Sequence, residues 1–260
     1  MRILVTFAVE AEFAPWRSRH PFVPYEFDDA GKRREFDVYR ANIGLNEMTV
    51  LLTGMGGQNA LNAMRTIPLE TIDLCIATGL AGALAPDLKP GSIVAGRRCE
   101  ALSDAMKTSS DSDLLNLAWT ANARVVDVFL TSKTILVTAA EKQQLSASGS
   151  VVEMESAHIL AAASGQRIPV VAVRAISDAA DEDLPVDFRQ IVDSRGHVRL
   201  APLLKELALH PHRLPLLIQF GRQSRAAAVS LADFLDNYIL LIAAKWPGLC
   251  ASNMEEVSAT

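Results

Sequence analysis

The stretch "VVEMESAHILAAASGQRIPVVAVRAISD", residues 151–178, decides the fold. Val151 and Val152 end a β-branched run, residues 153–165 have the apolar spacing of a helix with Gly165 as its cap, and residues 169–177 read as a second strand. That second strand is apolar on both faces, which marks a sheet covered on both sides. The same pattern recurs at 3–9, 48–54, 72–79, 92–96 and 123–130, with helical segments at 56–67 and 112–123. The fold class is therefore α/β: a three-layer α/β/α sandwich on a central mixed, mainly parallel sheet.

From about Leu184 onward the strands stop and helices take over. Residues 200–246 are amphipathic, are predicted to break at Pro211 and Pro215, and end at Pro247-Gly248. The division expected is an α/β domain at 1–195, a helical extension at 196–252 packed on the same domain, and a flexible tail at 253–260. The extension is expected to pack on the core or across a dimer, the alternative being contact with a lipid surface or a greasy substrate.

Bulk composition narrows the function. At 260 residues, half of them hydrophobic, the chain can bury one large core. A net charge of −5, with cations scattered until the C-terminal quarter, supplies no general field for nucleic acid. Cys75, Cys99 and Cys250 lie far apart, and neither they nor the five histidines have metal-ligand spacing, so no metal is expected. The apolar run at 3–9 is too short for a signal-peptide core, and no uncharged apolar window reaches the ~18 residues of a membrane span. A cytoplasmic protein is expected.

Three strands deliver acids at their carboxyl ends, where open α/β sheets bind ligands. "FAVEAEF" ends in Glu10 and Glu12, "VVEMES" in Glu153 and Glu155, and "VAVRAISDAAD" in Ser177 and Asp178. Singly, each has a plain structural reading: Glu153 and Glu155 as first-turn acids favoured by a helix dipole, Asp178 as an N-cap. Together, on neighbouring strands, they converge on one cleft.

The order "VEMES", then "PVVAVRAISDAAD", with an N-terminal acidic pair and "ATGLAGALAPDLKPGSIV" (77–94) between, resembles the purine nucleoside phosphorylase and nucleosidase superfamily from residue 1 to about 190. The resemblance implies a homo-oligomer, such as a homodimer, that breaks the N-glycosidic bond of an adenosine-like purine nucleoside without a cofactor. Similarity to methylthioadenosine/S-adenosylhomocysteine nucleosidases implies that Asp178 protonates or hydrogen-bonds the purine, Glu155 holds the ribose hydroxyls and Glu12 activates water. It also places Met154 beneath the ribose; from their positions at the end of that strand, Arg174 is expected among the ribose-binding residues, bracing Glu155 or another site carboxylate, and Ser177 among the base-binding residues, orienting Asp178. The chemistry asks for this division, because an oxocarbenium-like transition state favours an anion near the sugar while the leaving base must gain a proton. Asp178 is then expected to be held protonated by burial, or to share a proton with the purine ring nitrogen N7, and Glu12 to stay ionised.

The acceptor is water or phosphate. Hexameric-type phosphorylases carry an Arg and a Ser where this chain has Ala77 and Leu80, so those phosphate ligands are missing. "TGMGGQNA" (53–60) lacks the third glycine of a dinucleotide fingerprint, but Gly54, Gly56, Gly79 and Leu80 could form an anion or water pocket with phosphate as co-substrate. The segment 138–156 and the helical tail look closest to the hopanoid-associated phosphorylases, which implies a lipid on the ribose 5′ carbon, with Phe220, Phe234, Tyr238 and Ile239 walling a channel. Futalosine hydrolysis is the alternative within the superfamily, and a non-catalytic nucleoside-binding protein the alternative outside it.

Overall fold

Ile3, Val5 and Phe7 of the first strand enter one hydrophobic cluster and Leu4 enters another, the two-residue period of a strand buried on both faces. The computed structural model describes residues 1–26, 35–193 and 199–258. In chain order its elements are β1 (Arg2–Phe7), α1 (Glu10–Arg17), β2 (Val23–Pro24), β3 (Val38–Ile43), β4 (Asn46–Leu52), α2 (Gly57–Met64), β5 (Leu74–Ala77), β6 (Leu80–Ala83), β7 (Ile93–Ala101) and β8 (Lys107–Ser109). They continue as α3 (Ser112–Thr120), β9 (Arg124–Thr131), α4 (Ala139–Leu145), β10 (Val151–Glu153), α5 (Ser156–Gly165), β11 (Val170–Asp178), α6 (Phe188–Ile191), α7 (Leu200–Leu209) and α8 (Arg213–Ser258).

One mixed sheet runs β2-β3-β4-β1-β5-β11-β6-β10-β9-β7-β8, with β4, β1, β5, β11 and β6 successively parallel. An added β11–β7 pairing bends the far half of the sheet into a closed ring through β6, β10 and β9. That closure was not visible in the sequence, because register between distant strands leaves no local mark. Helices α1, α3 and α8 cover one face and α2 and α5 the other, completing the expected sandwich. The α2–α5 contact depends on Gly57, where an added Cβ would lie 2.2 Å from the His158 ring.

Local chemistry sets the element ends. Asp111 caps α3 by accepting from the Asp113 and Leu114 N–H groups, and Thr138 with Glu141 forms a capping box on α4. Gly165 is the last residue of α5 rather than its left-handed cap; the positive φ falls on Arg167, at 59°. Glu10 and Glu12 lie in the first turn of α1 instead of ending β1.

The C-terminal helix is anchored by its middle. Leu231, Leu235, Tyr238, Ile239 and Ile242 are at most 1% exposed, each aliphatic member contributing about 1.5–3 kcal/mol by burial. Asp236 accepts from Trp16 Nε1 at 2.8 Å and pairs with Arg19 and His20, and Tyr238 Oη donates to the Leu114 carbonyl. Pro211 separates α7 from α8 as predicted, but Pro215 sits in the first turn of α8, where a missing N–H interrupts nothing. Helix α8 continues past Pro247-Gly248 to Ser258, and residues 259 and 260 of the expected tail lie outside the described residues. Arg213–Trp246 is long and apolar enough to cross a membrane by length and composition, yet half of its most apolar window is buried inside the fold.

Candidate functional site

The carboxyl ends of β1, β10 and β11 open into one cavity of about 880 Å³. Glu12, Leu80, Glu153, Met154, Glu155, Ser177 and Asp178 all line it, so the acids predicted from three separate motifs do meet. Glu10 is excluded: it is nearly half exposed and pairs with Arg17 at 2.7 Å.

Glu12 is held by backbone alone. Its Oε2 accepts from the Ala8 N–H at 2.9 Å and the Val9 N–H at 3.4 Å, and its Oε1 accepts from the Leu80 N–H at 2.9 Å. The close approach needs Gly79, whose φ is 142° and whose added Cβ would stand 2.9 Å from Oε2. Burial pushes the Glu12 carboxyl above the usual range, against the lowering effect of those donors and of Arg174.

Glu153 and Glu155 have different surroundings although one residue apart. Glu153 Oε2 accepts from Arg174 Nη2 at 2.8 Å and from the Glu155 and Ser156 N–H groups at 2.9 and 2.7 Å; its Oε1 accepts from Thr131 Oγ1 at 2.5 Å. Arg174 therefore braces Glu153 and not Glu155, the second of the two alternatives expected for it; Arg174 itself does not line the cavity and so is not placed to touch the ribose. The reason is strand register. Arg174 stands mid-strand in β11 with its side chain 1% exposed, and the Glu153 carboxylate is the one within its reach.

Glu155 turns the other way and accepts from the Gly56 N–H at 2.6 Å. Burial and the neighbouring Glu153 charge push its carboxyl up to about 8. The left-handed Gly54 and Gly56 shape this turn, but the N–H that was expected to be open to an outside anion is already given to Glu155. Met154 lines the cavity between the two acids.

Asp178 ends β11, with Ser177 Oγ donating to its Oδ1 at 2.6 Å. Its other oxygen lies 2.5 Å from Lys142 Nζ, a side chain 1% exposed that also donates to the carbonyls of Ala179 and Glu182, each at 2.7 Å. Asp178 is buried as expected, but a buried cation that was not expected stands against it. Lys142 was not among the residues expected at the site, because it follows the polar capping box of a short helix and reads there as a surface residue.

Beyond the acids much of the cavity wall is apolar, with Leu184, Phe188, Val192, Leu217, Phe220 and Val229, while Arg19, Ser224 and Arg225 also line it. Phe220 is in place as expected, whereas Phe234, Tyr238 and Ile239 face the core cluster instead. Those three lie on the stripe of α8 that packs on the sheet. No group of three metal-ligating side chains occurs among the described residues.

The family model described as the phosphorylase superfamily matches residues 2–208. Among solved structures, the methylthioadenosine/S-adenosylhomocysteine nucleosidase of Campylobacter jejuni is 17% identical with a TM-score of 0.69, covering 92% of this chain and 98% of its own. The Neisseria meningitidis enzyme of that name, complexed with methylthio-immucillin-A, is 22% identical with a TM-score of 0.68 and the same coverage. A futalosine hydrolase mutant of Helicobacter pylori is 16% identical, also with a TM-score of 0.68 and the same coverage. No curated protein matches the chain.

Proposed function

The chain belongs to the phosphorylase superfamily and is a nucleosidase or nucleoside phosphorylase; we propose that it cleaves the N-glycosidic bond of an adenosine-like nucleoside with water as the acceptor. In this reading the bond from the ribose C1′ to the purine breaks as water attacks C1′. Glu12 takes the proton from that water, and Asp178 gives one to the ring nitrogen N7 of the departing base. Lys142 then stands against the carboxylate that Asp178 becomes, so the charge left by proton transfer is met by a cation already in place. Glu155 accepts from the ribose hydroxyls, Met154 packs beneath the sugar, and Ser177 fixes the Asp178 rotamer.

The observation that carries the choice of water is the mounting of Glu12. A buried carboxylate clamped by backbone donors, with Gly79 making room for it, suits a general base. It ill suits a neighbour to phosphate, because the Leu80 and Gly56 N–H groups that could hold a dianion are used by Glu12 and Glu155. The test is release of free base from adenosine and methylthioadenosine with and without phosphate. Adenine and free sugar are expected in phosphate-free buffer, with no acceleration on adding phosphate; a phosphate requirement with a sugar 1-phosphate product would overturn the reading.

A second feature bears on the substrate. The apolar wall contributed by α6 and α8 favours a nucleoside with a bulky hydrocarbon 5′ substituent over one with a bare hydroxymethyl group. The helical extension at 196–252 would then serve as the outer wall of the cavity.

A further inference from the structure

Helix α8 has two halves of opposite character. Ala227, Ala228, Leu231, Ala232 and Leu235 are at most 2% exposed, whereas Leu214, Leu216 and Ile218, in its first two turns, are 46–52% exposed. Helix α7 ends beside them with Leu204 and Leu209, each 64% exposed, and Glu206 ties the corner together by pairing with Arg213 at 2.5 Å and His210 at 3.3 Å. The result is a knuckle of large apolar side chains with no covering layer among the described residues.

Its charge is opposite to that of the rest of the chain. Residues 199–225 hold Arg199, Lys205, Arg213, Arg222 and Arg225 against the single acid Glu206, in a chain of net charge −5. Leu214, Ile218 and Arg222 follow at four-residue intervals, so they share one face of the helix. Leu217 and Phe220 line the cavity from the same turns.

We infer that the α7–α8 knuckle docks the protein on an anionic membrane surface, with its leucines in the acyl boundary and its cations among the headgroups. This rests on surface chemistry and holds whichever acceptor the reaction uses. The helix lies on the surface and does not span it, since its second half is committed to the core. A second copy is the weaker occupant, because a two-fold contact of this face with itself would set its cations against one another, whereas anionic headgroups complement them. Docking would also bring the apolar wall of the cavity next to the lipid.

The experiment is co-sedimentation of the full chain with phosphatidylcholine vesicles, with or without phosphatidylglycerol, at low and high salt. Binding to the anionic vesicles is expected to exceed binding to neutral ones by about 10-fold or more and to fall with salt. Leu214→Gln with Ile218→Gln should abolish binding, and Lys205→Glu with Arg222→Glu should abolish the anionic preference. Equal recovery with anionic vesicles and with buffer, or equal binding to both vesicle types, would overturn the inference. So would sedimentation velocity without vesicles showing that the leucine variant reduces the size of the assembly, since a second copy would then own the face. If the leucine variant does not fold, the charge variant and the comparison of vesicle types still decide.

Discussion

Four buried acids surround the cavity, and they fall into two regions. Glu153 and Asp178 each touch a buried cation, at 2.8 Å to Arg174 and 2.5 Å to Lys142, whereas Glu12 and Glu155 are held by backbone N–H groups without a cation in contact among the described residues. Burial raises the pKa of both acids in the second region. The same residue type is thus prepared for different work by what surrounds it, and a carboxylate saturated by internal donors, as Glu153 is, serves the fold by fixing the turn that presents Met154 and Glu155.

The sharpest way to break this division is to neutralise one reactive acid from each region. Glu12→Gln and Asp178→Asn are each expected to lower kcat about 10²–10⁴-fold; the melting temperature should stay close to the parent's in Glu12→Gln and fall in Asp178→Asn, which leaves Lys142 buried without its carboxylate. Base release at near-parent rates from either variant would remove that acid from the chemistry.

The next effect tests the structural side. Arg174→Met leaves Glu153 buried without its cation and is expected to cost about 3–5 kcal/mol of stability in denaturant unfolding. A loss below about 1 kcal/mol, the value of an exposed pair, would mean that the Glu153 pair does not hold the site together.

The smallest effect sharpens the cation-free region. A carboxyl whose folded pKa stands near 8 against 4.5 in the unfolded chain stabilises the fold fully below pH 4.5 and loses that contribution as pH rises through about 8. Glu155→Gln stays neutral throughout, so above pH 8 its melting temperature should exceed the parent's by on the order of 2–4 °C, with the gap closing toward acid pH. Equal melting curves at alkaline pH would show that Glu155 ionises there without cost.

Much of this was legible before the fold was known, for a local reason. Two-sided apolar runs mark covered strands, and an acid just past such a run must lie near the carboxyl edge of the sheet; that brought the Glu10/Glu12, Glu153/Glu155 and Asp178 groups together, and the family resemblance singled out Glu12, Glu155 and Asp178 among them. Pro215 misled because a proline in a helix's first turn and a helix-breaking proline look alike in one dimension.

The sequence by itself determined the layered α/β architecture, the three strand ends that carry acids, and the apolar, cation-rich character of the segment after residue 199. Only the tertiary structure decided that Arg174 faces Glu153, that Lys142 meets Asp178 across 36 positions of chain, that β11 also pairs with β7, and that Phe234 and Tyr238 serve the core while Phe220 serves the cavity. Hydrophobic period and strand ends are properties of neighbouring residues. The partner of a buried charge is set by register between strands and helices that are distant in sequence, and no local pattern encodes it.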